Sequence, residues 1–324
     1  MNSAPFRLTA ASLLLSASLG ASAAHAAGVV AGTQIANTAT ATYDSGAASV
    51  SIQSNTVTVR VDELLNVAVT SLSANPTAAA AGTTVLTYQV TNTGNGAESF
   101  GLTADPAISG NAFNPALQSI AYDTNGNGVY DPGTDVILAT GTPTPAIAPD
   151  SSLTVFVLTT LPGTATDGQT GQVRLTATSA TGSGTPGTVF AGQGAGGGDA
   201  VVGASTALGN ALATEIARLA AVNLTKSATI IDPFGTQQPV PGATVTYSLL
   251  AVVSGAGMAS NLNVTDVIPS GTTYQPGTLT LDGSTLSDAA DGDAGQASSA
   301  GIAVGLGTLA GGTSKTVAFK VKIN

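Results

Sequence analysis

Thirteen consecutive residues place oxygen at a spacing that suits a cation: Asp123-Thr124-Asn125-Gly126-Asn127-Gly128-Val129-Tyr130-Asp131-Pro132-Gly133-Thr134-Asp135. Oxygen side chains stand at positions 1, 3, 5 and 9, with glycine at 6. Alternate residues in a tight loop turn their oxygens inward, the glycine permits the bend, and a hard cation such as Ca2+ is held by oxygen alone. The ligands read from this spacing are Asp123, Asn125, Asn127, the backbone carbonyl of Val129, Asp131 and Asp135. Two asparagines lower the charge offered to the ion, so the expected affinity is weak, on the order of 10⁻⁴–10⁻³ M. The competing reading is an Asn/Gly turn with solvated aspartates.

The loop resembles the calcium loops of bacterial surface repeats and, more loosely, an EF-hand loop. It departs from the EF-hand pattern at position 12, where Thr134 replaces glutamate and Asp135 follows one residue later. A second acidic run, Ser287-Asp288-Ala289-Ala290-Asp291-Gly292-Asp293, reads as a solvated turn. Other chemistry is scarce. The chain has no cysteine, and its single histidine is His25. If residues 1–26 are removed as a leader, His25 goes with them, and without imidazole or thiol there is no Ser-His-Asp or Cys-His catalysis, no zinc site built on nitrogen or sulfur, and no disulfide. Glutamate occurs as Glu63, Glu98 and Glu215, none in a recognisable catalytic context. The sequence therefore reads as non-enzymatic. A carboxylate-dependent hydrolase is the remote alternative, and it requires two acids flanking a deep cleft.

Residues 1–26 have the form of a secretory signal: Arg7, a short apolar run over 8–19, and Ala24-His25-Ala26 as a cleavage site. The run is too short to span a bilayer, and no later segment is long and apolar enough, so no membrane span is expected. The expected location is secreted or bacterial cell surface. Loss of Arg7 and His25 with that segment leaves eighteen acidic against seven basic residues, about −11. An acidic chain without a basic patch disfavours nucleic acid as a partner.

The elements that must hold these residues are strands. Val, Thr and Leu alternate between Gly/Pro/Asn turns, the pattern of an all-β protein. The reading is two immunoglobulin-like β-sandwiches in tandem plus an N-terminal β-hairpin. The boundaries are a signal at 1–26, the hairpin at 27–63, a sandwich with the calcium-type loop at 64–205, a linker or short helix at 206–222, and a second sandwich at 223–324. The helix rests on Leu208, Leu212, Ile216 and Leu219, spaced by four, four and three. The glycine-rich 192–198 has no strand-turn-helix context for phosphate and reads as a flexible loop.

Leu224-Thr225-Lys226-Ser227, Pro241-Gly242-Ala243-Thr244-Val245-Thr246-Tyr247, Asn263-Val264-Thr265-Asp266-Val267-Ile268-Pro269-Ser270-Gly271-Thr272-Thr273-Tyr274 and Gly307-Thr308-Leu309-Ala310-Gly311-Gly312-Thr313 follow one another in order. This series resembles the conserved-repeat family of bacterial surface proteins known as domain of unknown function eleven. The resemblance covers about a hundred residues. It implies an immunoglobulin-like fold and a secreted or surface location, and little about activity. In that family the repeat runs on into a hairpin of the type found here at the other end, in Ile35-Ala36-Asn37-Thr38-Ala39-Thr40-Ala41-Thr42 and Asn55-Thr56-Val57-Thr58-Val59-Arg60-Val61.

That permutation sets the functional expectation. The strand at 316–323 is expected to lack a neighbour, and the hairpin to supply one, with Val57, Val59 and Val61 facing the core beside Val317, Phe319, Val321 and Ile323. Pairing between molecules makes a homo-oligomer or head-to-tail filament through strand donation. Pairing within one molecule, with the hairpin folding back onto the second sandwich or adding to the first, makes a monomeric adhesin-like or envelope-associated binding module. Sequence leaves both open.

Overall fold

The computed structural model describes residues 28–46, 48–73 and 76–324. The signal reading at 1–26 lies outside them. The regular structure of the described residues is nearly all strand, as expected. Its helical content among the described residues is a single 3-10 turn at Ala195–Gly197.

The first four strands make a ribbon on their own. They are β1 (Gln34–Asn37), β2 (Thr40–Ser45), β3 (Ala48–Gln53) and β4 (Val57–Arg60), with β1 antiparallel to β4 and β2 antiparallel to β3. Register slips by one residue between the halves, and a bulge near Asn55 absorbs the slip. Thr38 and Thr56 hydroxyls, 2.7 Å apart, hold the two strands together at that point.

The next twelve strands enclose a main core with three smaller buried clusters beside it. They are β5 (Glu63–Leu65), β6 (Val67–Ser71), β7 (Thr77–Ala79), β8 (Thr83–Asn92), β9 (Phe100–Asp105), β10 (Ala116–Tyr122), β11 (Val136–Ile137), β12 (Ser152–Thr160), β13 (Thr170–Ser179), β14 (Val189–Phe190), β15 (Ala200–Val202) and β16 (Leu208–Ala217). One sheet runs β11-β10-β12-β8-β6 and faces a second, β7-β16-β13-β9; a small third sheet runs β14-β15-β5. In β8 every second residue turns inward, so Leu86, Tyr88 and Val90 are buried. Val173, Leu175 and Ala177 of β13 meet them from the facing sheet. Each such side chain contributes roughly 1.5–3 kcal/mol by burial. The Tyr88 hydroxyl, carried into this core, donates to the Val173 carbonyl at 2.9 Å and is satisfied.

The remaining strands enclose a second core: β17 (Ala220–Ile231), β18 (Thr244–Gly255), β19 (Met258–Val267), β20 (Thr272–Tyr274), β21 (Thr280–Leu281), β22 (Ser284–Thr285), β23 (Gly295–Ala297), β24 (Gly301–Ala310) and β25 (Ser314–Ile323). One sheet runs β17-β18-β25-β21-β22, with β20 also on β25; the other is β19-β24-β23. Leu249, Val253, Val264, Leu279, Val304, Val317, Phe319 and Val321 form the centre of the core between them.

Two sequence expectations are corrected. The linker or helix expected at 206–222 is strand instead: β16 lies between β7 and β13, and β17 begins at Ala220. The leucines that suggested a helix, Leu208 and Leu212, point outward, while Ala213, Glu215 and Ala217 point inward. Ala213 belongs to the first core, which therefore runs past the boundary expected at 205. Second, the strand expected to lack a neighbour has one on each side. Residues 244–252 of β18 pair with 314–322 of β25, and β20 and β21 pair along its other edge.

Candidate functional site

The acidic loop joins β10 to β11. Asp123 is buried at its start, where Oδ1 accepts the N–H groups of Asn125 (3.1 Å) and Gly126 (2.6 Å) and Oδ2 accepts that of Gly128 (2.8 Å). Asp131 Oδ2 accepts the side-chain amides of Asn125 (3.0 Å) and Asn127 (2.6 Å). Asp135, also buried, accepts the N–H of Asp131 (2.7 Å) and Thr124 (3.1 Å). The Asp131 N–H and then the Thr124 groups hold the Asp135 carboxyl below its ordinary value, against a smaller upward push from burial. Gly126 and Gly128 both sit at φ +75, a left-handed conformation that makes this double bend possible. The loop thus gathers Asp123, Asn125, Asn127, Val129, Asp131 and Asp135 into one turn, with the oxygens largely occupied by its own N–H groups. Among the described residues no three acidic, histidine or cysteine side chains converge as a metal cluster.

The second acidic run is built into the fold. Asp288 accepts the Tyr274 hydroxyl at 2.6 Å and the Gly277 N–H at 2.8 Å. Burial, then this bond and charge, push the Tyr274 phenol up to about 12. Asp293 accepts the N–H of Ser287 and of Gly295, each at 2.7 Å.

Sequence reading missed that all three glutamates are buried. Glu98 is satisfied by Ser179 and Thr181. Glu215 accepts the Thr159 hydroxyl at 2.5 Å, and its other oxygen has no partner. Glu63 accepts the Ala195 N–H at 2.7 Å, its other oxygen is likewise bare, and a side chain at Gly96 would collide with it. Burial raises both carboxyls, and nearby Glu98 adds to the effect on Glu63. The available signal was register: Glu215 stands between Ala213 and Ala217 at period two.

Glu63 also closes the base of the ribbon. Asn95 donates to the carbonyls of Val29 and Asp62, both at 3.0 Å, and accepts the Leu64 N–H at 2.6 Å. Arg60 donates to the Gly197 carbonyl at 2.5 Å. Gly32 and Gly196 approach so closely that a Cβ on either would fall within 3 Å of the other's Cα. The glycine-rich stretch expected as a flexible loop is therefore a fitted seat for the ribbon.

Above that seat the ribbon is amphipathic and uncovered. Cross-strand partners share a face. Ile35 pairs with Val59, Asn37 with Val57, Ala41 with Ile52 and Tyr43 with Val50, so one face is largely apolar. The other carries Gln34, Thr40, Thr42, Asp44, Ser49, Ser51, Gln53, Thr58 and Arg60. Tyr43 is 53% exposed and Val59 60%. Among the described residues the ribbon strands pair only with one another, so the fold-back onto the second core is not the arrangement of this structure.

The second core is open along one side. Val222 and Leu224 of β17 pair with the buried Val253 and Ala251 of β18 and so share the core face of their sheet. Yet they are 43% and 49% exposed. The facing sheet stops at β19, which pairs with β24 and with no other strand among the described residues. Lys226 bridges the opening, its Nζ 2.6 Å from Asp266 Oδ2 on β19 and 4.4 Å over the Tyr247 ring.

No family model matches the chain, and no curated protein matches it in sequence. Among solved structures, one titled BspA_C_mut aligns over 82% of this chain and 92% of its own, with TM-score 0.29 and 9% identity. A likeness that loose carries no argument about fold or activity. No described helix is long and apolar enough to cross a membrane.

Proposed function

We propose that this chain is a non-enzymatic, secreted or cell-surface structural protein that assembles head-to-tail by β-strand donation. The observation that carries the reading is the ribbon: two strands seated firmly at the base, with an apolar face bare along their length. A lone two-stranded ribbon is marginal in water, and its free edges are templates for pairing. Donor and acceptor are unlike surfaces, so each added subunit presents a new acceptor and the assembly propagates. The ordered motifs of residues 224–313 support the extracellular location. Removal of residues 28–62 tests the mechanism: the truncated protein is expected to stay a single species in a sizing column where the intact protein forms a concentration-dependent series. The same higher-order species without those residues would rule out donation.

The acidic loop is the second part of the reading. Its six oxygen-bearing positions and two left-handed glycines support weak calcium binding, with the ion displacing the Asn125 and Asn127 amides from Asp131. Titration calorimetry at millimolar calcium is expected to show heat, and melting a rise that D131N loses. Absence of both effects would remove calcium from the account.

A further inference from the structure

We infer that the acceptor is the opening between β17 and β19, and that the occupant is the ribbon of a second copy of this chain, with its β1–β2 edge paired to β19. This rests on the strand-donation reading and locates it. The opening exposes Val222 and Leu224 on a face that is core in the neighbouring β18 and β25, and β19 beside it has an outer edge that pairs with no other strand among the described residues and keeps regular register over residues 263–267. A layer of strands is missing over those two side chains, and the ribbon is a layer of strands with one apolar face.

The choice of edge follows from regularity. The β3–β4 strand carries the bulge near Asn55, and a bulge interrupts pairing on that side. The opposite strand, β1 running into β2, has no extra residue. With that edge on β19, the apolar face turns toward Val222 and Leu224 and the threonine face toward solvent. Charge permits the insertion: within residues 34–59 the one charged side chain is Asp44. Lys226 and Asp266, at the opening, are already paired with each other. A ribbon about 33 Å long, covered on a face and an edge, buries on the order of 800 Å² per partner, the size of a stable specific interface.

The absence of native cysteine makes crosslinking a clean test. In the full-length chain, T38C, T40C or T42C on the outward ribbon face is combined with N263C or T265C on β19. A control combines each with T103C on β9, the edge of a different sheet. At least one β19 pair is expected to give a disulfide ladder of covalent multimers on non-reducing gels, and the β9 control none. A polymer in the sizing column without a β19 ladder would overturn the acceptor while leaving donation standing. No polymer from the unmodified protein would overturn both. L224D supplies a check independent of register: it should abolish the polymer yet melt within a few degrees of the unmodified chain, because Leu224 is half exposed in the single subunit. An L224D protein that still polymerises would exclude the opening.

Discussion

Two kinds of carboxyl in this protein oppose each other in their pH dependence. Glu63 and Glu215 are raised by burial above the value of 4.5 they have in an unfolded chain. From about pH 4.5 upward the unfolded chain ionises before the folded one, so stability falls as pH rises until the buried groups ionise as well. The melting-temperature profile of E215Q above pH 4.5 should therefore be flatter than that of the parent, whatever its absolute level. A profile parallel to the parent's would refute a neutral buried Glu215. Asp232 acts in the other direction. The Thr236 hydroxyl, with the N–H groups of Thr236, Gln238 and Phe234, lowers it to about 2 from 3.8. Its contribution is present above pH 3.8 and is lost as pH falls toward 2. D232N should lose that step from the acid limb of the melting profile.

Strands β16 and β25 illustrate which elements could be read in advance. Alternation in β8, β13 and β25 is clean because their inward positions are large and apolar and their outward ones polar. β16 reverses the cue, with alanine and glutamate inward and leucines outward, so its residues mimic a helical stripe. Its place was settled by pairing with β13 on one edge and β7 on the other. The ribbon seat is another element-level device. G196A would force Gly32 away and is expected to loosen the ribbon while sparing both cores. Hydrogen exchange should quicken at residues 33–61 and stay unchanged in β8, β13 and β18. Protection lost throughout would mean that the seat is part of the global fold.

For the assembled protein, charge decides the response to salt. Successive subunits carry like net charge, −10 over the full sequence, while the ribbon inserts almost no charge of its own. Screening should therefore ease assembly: the Debye length falls from about 30 Å at 0.01 M to about 10 Å at 0.1 M. Light scattering at fixed protein concentration should rise across that interval. A fall would point to charge pairs between subunits, whereas the charges at the opening, Lys226 and Asp266, are paired with each other within one subunit.

The candidate loop at 123–135 and the amphipathic strands were legible because both depend on local spacing: a turn lists its own oxygens, and a strand alternates at period two. The three buried glutamates, the inward face of β16 and the seat at Gly32 and Gly196 were not, because each depends on what lies opposite. The same divide runs through the ends of the chain. Local pattern marked a ribbon without a core, but its expectation of a missing neighbour beside the last strand was wrong. Only the tertiary arrangement pairs β25 on both edges and, elsewhere in the same domain, leaves Val222 and Leu224 of β17 exposed. Strand pairing joins residues tens of positions apart, and no window along a chain contains that information.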